Sequence, residues 1–300
     1  MKDISIDNPV FHELLNLRLI NENDIEIINK KTRDHRNLFV YQDKVSKIIF
    51  LQKYLKKENF YKKKILNRKL INNRSFSLFD KKKTKTLNLD DQKRRAQMFG
   101  KKLLNKKVLD YGCGNGNFLK QITKFTKKIY GLEINNSHLV KLKNKFKIFE
   151  KLEDIAEQFD YITLFHVLEH LPNQIKVLKK IKNKLKPNGK LIIEIPQAND
   201  FLLKLKLEEF KNFTFWSEHL ILHTEDSIKK FLKNSGFKKI QVSFYQRYNL
   251  SNHAGWFLDR KPGGHLRHKE LFTENEKKLY NIFLIQTKMT DTMIVEASIK

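Results

Sequence analysis

From Lys107 onward, short apolar runs alternate with segments whose apolar residues recur every three or four positions. Runs of about four to eight apolar residues bounded by turn residues read as buried strands, and longer periodic segments read as amphipathic helices. Strands are predicted on that basis at 107–111, 128–133, 146–149, 159–164, 189–195, 238–247 and 292–298. Helices are predicted near 116–126, 136–144, 173–184, 225–234 and 274–288. Gly131, Pro172, Asn188-Gly189, Pro196 and Gly236 punctuate them. Strands and helices in this rhythm predict an α/β protein with a mostly parallel sheet.

The first hundred residues read differently. Residues 1 to about 36 mix apolar and charged positions with few breakers, so they predict either a helix or a strand-containing arm. Leu38-Phe39-Val40-Tyr41 and Ile48-Ile49-Phe50-Leu51 flank Asp43-Lys44-Val45-Ser46, the pattern of a β-hairpin. Residues 61–89 are rich in Lys and Asn and predict a linker, and a helix is expected from about Asp90 through Met98. The expected division is an N-terminal extension over 1–89, with hairpin and basic linker, and a main domain over 90–300. Two insertions are expected in that domain, near 198–224 and 248–289.

The chemistry-bearing stretch is Lys107-Val108-Leu109-Asp110-Tyr111-Gly112-Cys113-Gly114-Asn115-Gly116-Asn117. A strand, a glycine turn and a helix start form a cradle in which bare backbone amides approach a ligand. A dinucleotide fingerprint is G-x-G-x-x-G, whereas this turn is G-x-G-x-G with Asp110 two residues ahead. After the second predicted strand stands Glu133, an acid able to accept hydrogen bonds from ribose hydroxyls. These residues resemble the class I S-adenosylmethionine-dependent methyltransferases. That resemblance spans roughly residues 90 to 300. It implies a seven-stranded, Rossmann-like, mostly parallel sheet with a final antiparallel hairpin and helices on both faces. It also implies that Asp110, Gly112, Gly114, Gly116 and Glu133 hold S-adenosyl-L-methionine, with Leu152 and Glu153 at the adenine edge. Arg94 or Arg95 is placed by it to reach the methionine carboxylate. The hairpin followed by Phe60-Tyr61 resembles the small zinc ribbon that precedes the main domain in many glycan-type members, here without its cysteines.

Composition adds limits. A chain of 300 residues with 40% hydrophobic content buries a substantial core. The formal charge of +28 invites a nucleic-acid reading. Arginines, however, are few among the 61 basic residues, and Lys, Asn and Ile are abundant throughout, so nucleic acid is not the expected partner. The Lys-rich stretch 53–106 is a solvated face, or a surface for peripheral association with an anionic membrane. The single cysteine, Cys113, excludes an intrachain disulfide and a cysteine-held zinc. No run nears about 18 apolar residues and the N-terminus has no signal-like core, so a cytoplasmic enzyme is expected.

Beyond the glycine turn, candidates gather after predicted strand ends. Phe165-His166-Val167-Leu168-Glu169-His170-Leu171-Pro172 resembles the segment after the fourth strand in ubiquinone-pathway O-methyltransferases. There an acid followed by a Glu-His pair is associated with a divalent metal. Here His166 stands in place of the first acid, so no metal is expected. His166 and His170 are expected to line the site, His166 also toward the cofactor. Trp216-Ser217-Glu218-His219-Leu220, followed by Thr224, resembles a stretch common in glycan-type members, and His219 is the leading candidate for a base. The polar segment 246–265 is expected to be a loop in which Arg247, Asn252, His253 and His265, with Trp216, grip a polar acceptor.

The expected activity is methyl transfer to an O or C atom of a small molecule or glycan precursor. An RNA or protein methyltransferase, a non-catalytic cofactor-binding partner and an NAD-dependent oxidoreductase stand as alternatives. Strand four lacks the N-P-P-Y-like tetrapeptide of enzymes that methylate base or amide nitrogen. The oxidoreductase is disfavoured because its third glycine falls one position later.

Overall fold

A computed structural model describes residues 5–55, 60–63 and 81–300. Its strands are β1 (Ile25–Asn29), β2 (Val40–Asp43), β3 (Ile49–Leu51), β4 (Lys107–Tyr111), β5 (Lys128–Leu132), β6 (Lys147–Phe149), β7 (Phe159–Phe165), β8 (Leu185–Pro196), β9 (Ile221–Leu222), β10 (Lys239–Tyr245) and β11 (Thr292–Ser298). Seven of them form one sheet in the order β10-β11-β8-β7-β4-β5-β6. The pairs β4–β5, β4–β7 and β5–β6 are parallel. The last strand in sequence thus lies between β10 and β8, in keeping with the α/β expectation. All seven predicted strands are present, most within two residues of their expected ends. The exception is β8, which starts at Leu185 rather than 189. Asn188-Gly189 was expected to turn the chain. A Cβ at Gly189 would instead stand 2.8 Å from the Phe159 carbonyl oxygen, so the glycine lets the backbone pass closely without leaving the strand.

Packing groups the chain into two compact units. One comprises Lys56–Phe165, Lys179–Ile192 and Ser298–Lys300. Its core is built on β4, where Val108 and Leu109 are fully buried, with Leu119, Ile122, Phe159, Ile162 and Leu164 around them. The helix expected over 90–98 runs from Lys81 to Leu103 and seals this core with Phe99 and Leu103. The expected linker over 61–89 therefore ends in helix from Lys81, while 64–80 lies outside the described residues.

The other unit comprises Met1–Leu55, His166–Leu178 and Ile193–Ala297. The expected hairpin is present: β2 and β3 pair antiparallel with Tyr41 opposite Phe50. It is part of a four-stranded sheet, β1-β2-β3-β9, in which Ile49 and Phe50 pair with Leu222 and Ile221. The grouping thus cuts across the expected boundary at residue 89. The physical reason is a long-range tie that local patterns do not carry. Asn8, fully buried, donates from Nδ2 to the carbonyls of Leu51 (2.8 Å) and Leu220 (3.0 Å) and caps the helix Pro9–Asn16 with its Oδ1. From that helix Glu13 accepts the first amides of the helix Gln174–Asn183, from Gln174 (2.9 Å) and Ile175 (2.8 Å).

The segment expected to be a polar loop folds as the helices Leu250–Leu258 and Gly264–Arg267, which meet backbone to backbone. A Cβ at Gly255 would lie 2.6 Å from the Gly264 Cα. The abundant Asn and His had suggested a loop; in the fold Asn249 caps the helix and His253 is buried. Among the described residues no helix is long and apolar enough to cross a membrane.

Candidate functional site

The glycine turn follows β4 directly, and Gly112, Gly114 and Gly116 all take left-handed backbone (φ 76°, 55° and 70°). Two of these positions have distinct reasons for lacking a side chain. A Cβ at Gly114 would meet nothing within 4 Å, so its peptide faces open space. A Cβ at Gly116 would stand 2.5 Å from Leu142 Cδ2, so this glycine lets the helix Asn117–Ile122 start against a buried leucine. Glu133, one residue past β5, anchors the exposed amide. Its Oε2 accepts from the Gly114 N–H (2.8 Å), while Oε1 accepts from the amides of Ile134 (2.8 Å) and Asn135 (2.7 Å). A carboxylate fixed by three backbone donors keeps a lone pair on Oε2 for a further hydrogen bond.

Asp110 lies beneath this turn, 4% exposed, and Oδ1 accepts from the Thr163 hydroxyl at 2.7 Å. The contact follows from sheet register, because Asp110 and Thr163 are direct partners across β4 and β7. Burial pushes the Asp110 carboxyl up to about 7, against the Thr163 bond and the Arg95 charge. Arg95 is itself buried, with its guanidinium 4.7 Å from the Phe165 ring centroid, while Arg94 approaches Asp91 (3.4 Å). Leu152 is buried, whereas Glu153 is at the surface, paired with Lys180 (2.5 Å). The Cys113 thiol is buried, and burial together with Asp110 and Glu133 raises it, so it is held protonated.

The second constellation begins at His166, the residue after β7, and draws wholly on the other unit. His166 has left-handed backbone (φ 54°), a conformation that costs a non-glycine residue about 1–2 kcal/mol and calls for compensating contacts. Those contacts are carboxylates: Nδ1 lies 3.2 Å from Glu169 Oε1 and Nε2 lies 3.3 Å from Glu194 Oε1. Burial pulls the imidazole pKa down, but the bonds to Glu169 and Glu194 outweigh it and the net shift is upward. Arg247 Nη1 approaches Nε2 to 3.3 Å, and its charge works against protonation of the ring. For Glu169 burial works upward, while the His166 bond and the neighbouring imidazoles of His170, His166 and His219 bring it down to about 2.

His170 Nδ1 lies 3.0 Å from the Glu218 carbonyl oxygen. A carbonyl only accepts, so Nδ1 is the donor in this contact. His170 Nε2 is 3.9 Å from Glu169 Oε1, and the His170 and His219 rings meet edge to face at 4.8 Å. The Leu220 amide donates to the Glu169 carbonyl (2.8 Å), so the Trp216–Leu220 segment is fastened to the turn Leu168–His170. Burial, then the nearby His170, pushes His219 down to about 3.

The geometry bears on two expected roles. Both His166 nitrogens face carboxylates, so its ring has no nitrogen ready to take an acceptor's proton. Burial and the neighbouring His170 lower the basicity of His219, the other candidate base. The expected substrate residues also separate. Trp216 packs under the Arg33 guanidinium (4.7 Å to its centroid), with Ser217 held by Asp34 at 2.6 Å. Asn252 Nδ2 contacts His265 Nδ1 (3.0 Å). His253 is 2% exposed and bridges Tyr280 (2.8 Å) and Gln246 (3.1 Å), and burial lowers it to about 4.

Sequence reasoning overlooked Glu194, Thr163 and the buried relay Gln174–His223–Ser227 (2.8 and 2.9 Å). Thr163 was within reach of a register argument from β4 and β7. Glu194 sits in an apolar strand run with no local signal for its partner.

Comparison with known proteins bears on the first constellation. A family model described as a methyltransferase domain matches residues 85–242, more than half of the chain. An uncharacterized protein of Methanocaldococcus jannaschii is 33% identical over 141 residues, 45% of this chain and 66% of that protein. The ubiquinone biosynthesis O-methyltransferase of Coxiella burnetii is 31% identical over 103 residues, 31% of this chain and 44% of that enzyme. A sterol 4-C-methyltransferase of Caenorhabditis elegans is 31% identical over 168 residues, 49% of this chain and 47% of the enzyme. The chain thus spans less than two thirds of these relatives' own lengths. A crystal structure of an S-adenosylmethionine-dependent methyltransferase from Archaeoglobus fulgidus aligns over 70% of this chain and 93% of its own, with 17% identity and a TM-score of 0.49. The chain belongs to the methyltransferase-domain family, the class I S-adenosylmethionine-dependent group that its glycine turn and Glu133 resemble.

Proposed function

We propose that this chain transfers a methyl group from S-adenosylmethionine to an oxygen or carbon atom of a small molecule or glycan precursor. The observation that carries the reading is the Gly114–Glu133 pair: a peptide facing open space, with its N–H fixed by a carboxylate that three backbone donors hold in place. Such a pair suits an adenosyl ligand, Gly114 against its bare backbone and Glu133 toward the ribose hydroxyls. The names of the Coxiella and Caenorhabditis relatives, an O- and a C-methyltransferase, support the choice of acceptor atom.

When bound, S-adenosylmethionine supplies a methyl on a cationic sulfur, ready for in-line displacement. The protein's residues then have to position, desolvate and accept a proton. Holding reactants in line can account for ~7–11 kcal/mol of the barrier. For proton removal the cluster favours His170, whose Nδ1 is fixed on the Glu218 carbonyl and whose Nε2 has Glu169 nearby to stabilise the imidazolium. His166, with Glu169, Glu194 and Arg247 about it, acts as a positioning residue. Arg247 and Trp216 remain the proposed acceptor contacts. Of the basic stretch proposed for an anionic membrane, residues 56–59 and 64–80 fall outside the described residues.

Calorimetry with S-adenosylhomocysteine tests the reading. The Glu133→Gln variant is expected to bind about 10- to 100-fold more weakly, the worth of hydrogen bonds to a charged acceptor. Labelled methyl from S-adenosylmethionine should then enter the small-molecule fraction of an extract. Label in RNA or protein would move the assignment to those acceptors. Tight binding with no label in any fraction would make the chain a cofactor-binding partner.

A further inference from the structure

We propose that the amino-terminal edge of the parallel sheet, at Lys106, Lys107, Lys127, Lys128, Lys147 and Lys186, is a docking surface for the phosphate backbone of a nucleic-acid duplex. Composition by itself disfavours such a partner, but sheet register gathers these lysines into one place. Lys107 and Lys128 are direct partners across β4 and β5, and two residues further along β5 Tyr130 is the partner of Lys147 at the start of β6. The Lys127 amide bonds the Lys106 carbonyl (2.9 Å), which sets the two preceding lysines side by side. On the other side of β4, Lys186 of β8 reaches Asp160 Oδ1 at 2.8 Å, and Asp160 Oδ2 accepts from the Lys107 amide at 2.8 Å. Neighbouring strands lie about 4.8 Å apart, so the row crosses β6, β5, β4, β7 and β8 over about 19 Å.

Like charges at this spacing repel, and a polyanion relieves the repulsion. Burial lowers the Lys107 ammonium, and Lys128, Lys186 and Lys147 push it further down against the pull of Glu157. Its place is fixed nonetheless, with Nζ 5.3 Å from the Tyr130 ring centroid and 5.5 Å from that of Phe159, while Lys147 Nζ stands 5.2 Å from the Tyr130 centroid. Asp160 and Glu157 answer Lys186 (2.8 Å) and Lys147 (3.3 Å), whereas Lys106, Lys127 and Lys128 are exposed. A duplex carries one negative charge per about 1.7 Å of its axis, a linear array that a linear row of ammonium groups complements. The rings beneath the lysines are buried, Tyr130 at 4% and Phe159 at 0% exposure, so neither is offered for the base stacking on which single strands depend. A bilayer calls for an apolar face beneath the charges, where this edge presents lysines over buried rings. From Lys107 to Tyr111, β4 runs five residues, about 17 Å at a strand's rise, before the glycine turn begins. A duplex docked at this edge is a tether at the far end of the strand from the donor cradle, not the methyl acceptor.

The test uses the full chain and fluorescein-labelled RNA and DNA duplexes of about 20 base pairs, read by anisotropy between about 0.05 and 0.2 M salt. Binding that weakens steeply with salt is expected. The triple variant Lys106→Gln, Lys127→Gln, Lys128→Gln should bind at least about 10-fold more weakly and flatten the slope of log affinity against log salt by about 3. A control triple, Lys230→Gln, Lys233→Gln, Lys238→Gln, removes the same charge at exposed positions of the other unit and should change binding by less than about 2-fold. Equal loss in the two triples would mean that the duplex senses net charge alone, and overturns the inference. It is overturned too if the folded wild-type chain binds neither duplex at the lowest salt, or binds a single strand of the same length more tightly. Loss of binding to phosphatidylglycerol vesicles in the first triple, with duplex binding kept, would assign the row to a bilayer and likewise overturn it. Circular dichroism checks the fold, and if the triple unfolds, Lys128→Gln alone decides by a salt slope lower by about 1. S-adenosylhomocysteine affinity, measured on the same preparations, should be unchanged in both triples, so failure here is distinguishable from failure of the donor-site reading.

Discussion

At the scale of single residues, the glycine turn shows how one motif serves two masters. Gly114 and Gly116 share left-handed backbone, which costs an alanine about 1–2 kcal/mol at either place. Only Gly116 also faces a buried neighbour, 2.5 Å from Leu142 Cδ2. Gly116→Ala should therefore lose more stability in urea unfolding, by about a further 1–3 kcal/mol of overpacking. Gly114→Ala should lose mainly S-adenosylhomocysteine affinity, read by calorimetry. The opposite ranking would mean that the turn is built for packing alone. His223 gives a second prediction at this scale. It is fully buried between Gln174 and Ser227, and burial lowers it from 6.5 to about 3. Its folded pKa is depressed, so the unfolded chain binds the extra proton first and stability falls as pH drops below about 6.5. At pH 5 such a group removes about 2 kcal/mol. Thermal melts across pH 5–7.5 should therefore be flatter for His223→Gln than for the parent.

At the scale of elements, the N-terminal helix acts as a cap for a helix more than 150 residues later. The Glu13 carboxylate receives the Gln174 and Ile175 amides, two of the four donors that a helix start leaves without partners. The charge also complements the helix dipole. Glu13→Ala should cost about 0.5–2 kcal/mol in urea unfolding, in the range of lost N-caps. Hydrogen exchange should quicken in the first turn of Gln174–Asn183 and leave the β4–β5 amides unchanged.

At the scale of the whole molecule, +28 is a large charge to gather on one chain. Self-repulsion of that size disfavours the compact state and is screened by salt. The melting temperature should accordingly rise between about 0.01 and 0.15 M ionic strength, where the Debye length shrinks from about 30 to 8 Å. A melting temperature that salt leaves flat would mean that the lysines are already neutralised by local acids.

The alternation that predicted β4, β5, β7 and β11 was legible because buried parallel strands carry their own apolar signal, and the glycine turn because its backbone needs residues of one kind. Asp110, Gly114 and Glu133 were readable for the same reason: chain-local spacing puts them at strand ends. The pairing of His166 with Glu194, of Glu13 with a distant helix start, and of β3 with β9 left no such mark. Each joins residues far apart in sequence, and a carboxylate in an apolar strand looks alike whether or not an imidazole awaits it. The sequence alone determined the α/β architecture and the kind of ligand its first turn accepts, through local periodicity and backbone geometry. Tertiary structure alone decided which histidines lie against carboxylates and which are buried as internal ties, because burial and neighbouring charge exist only once distant segments meet.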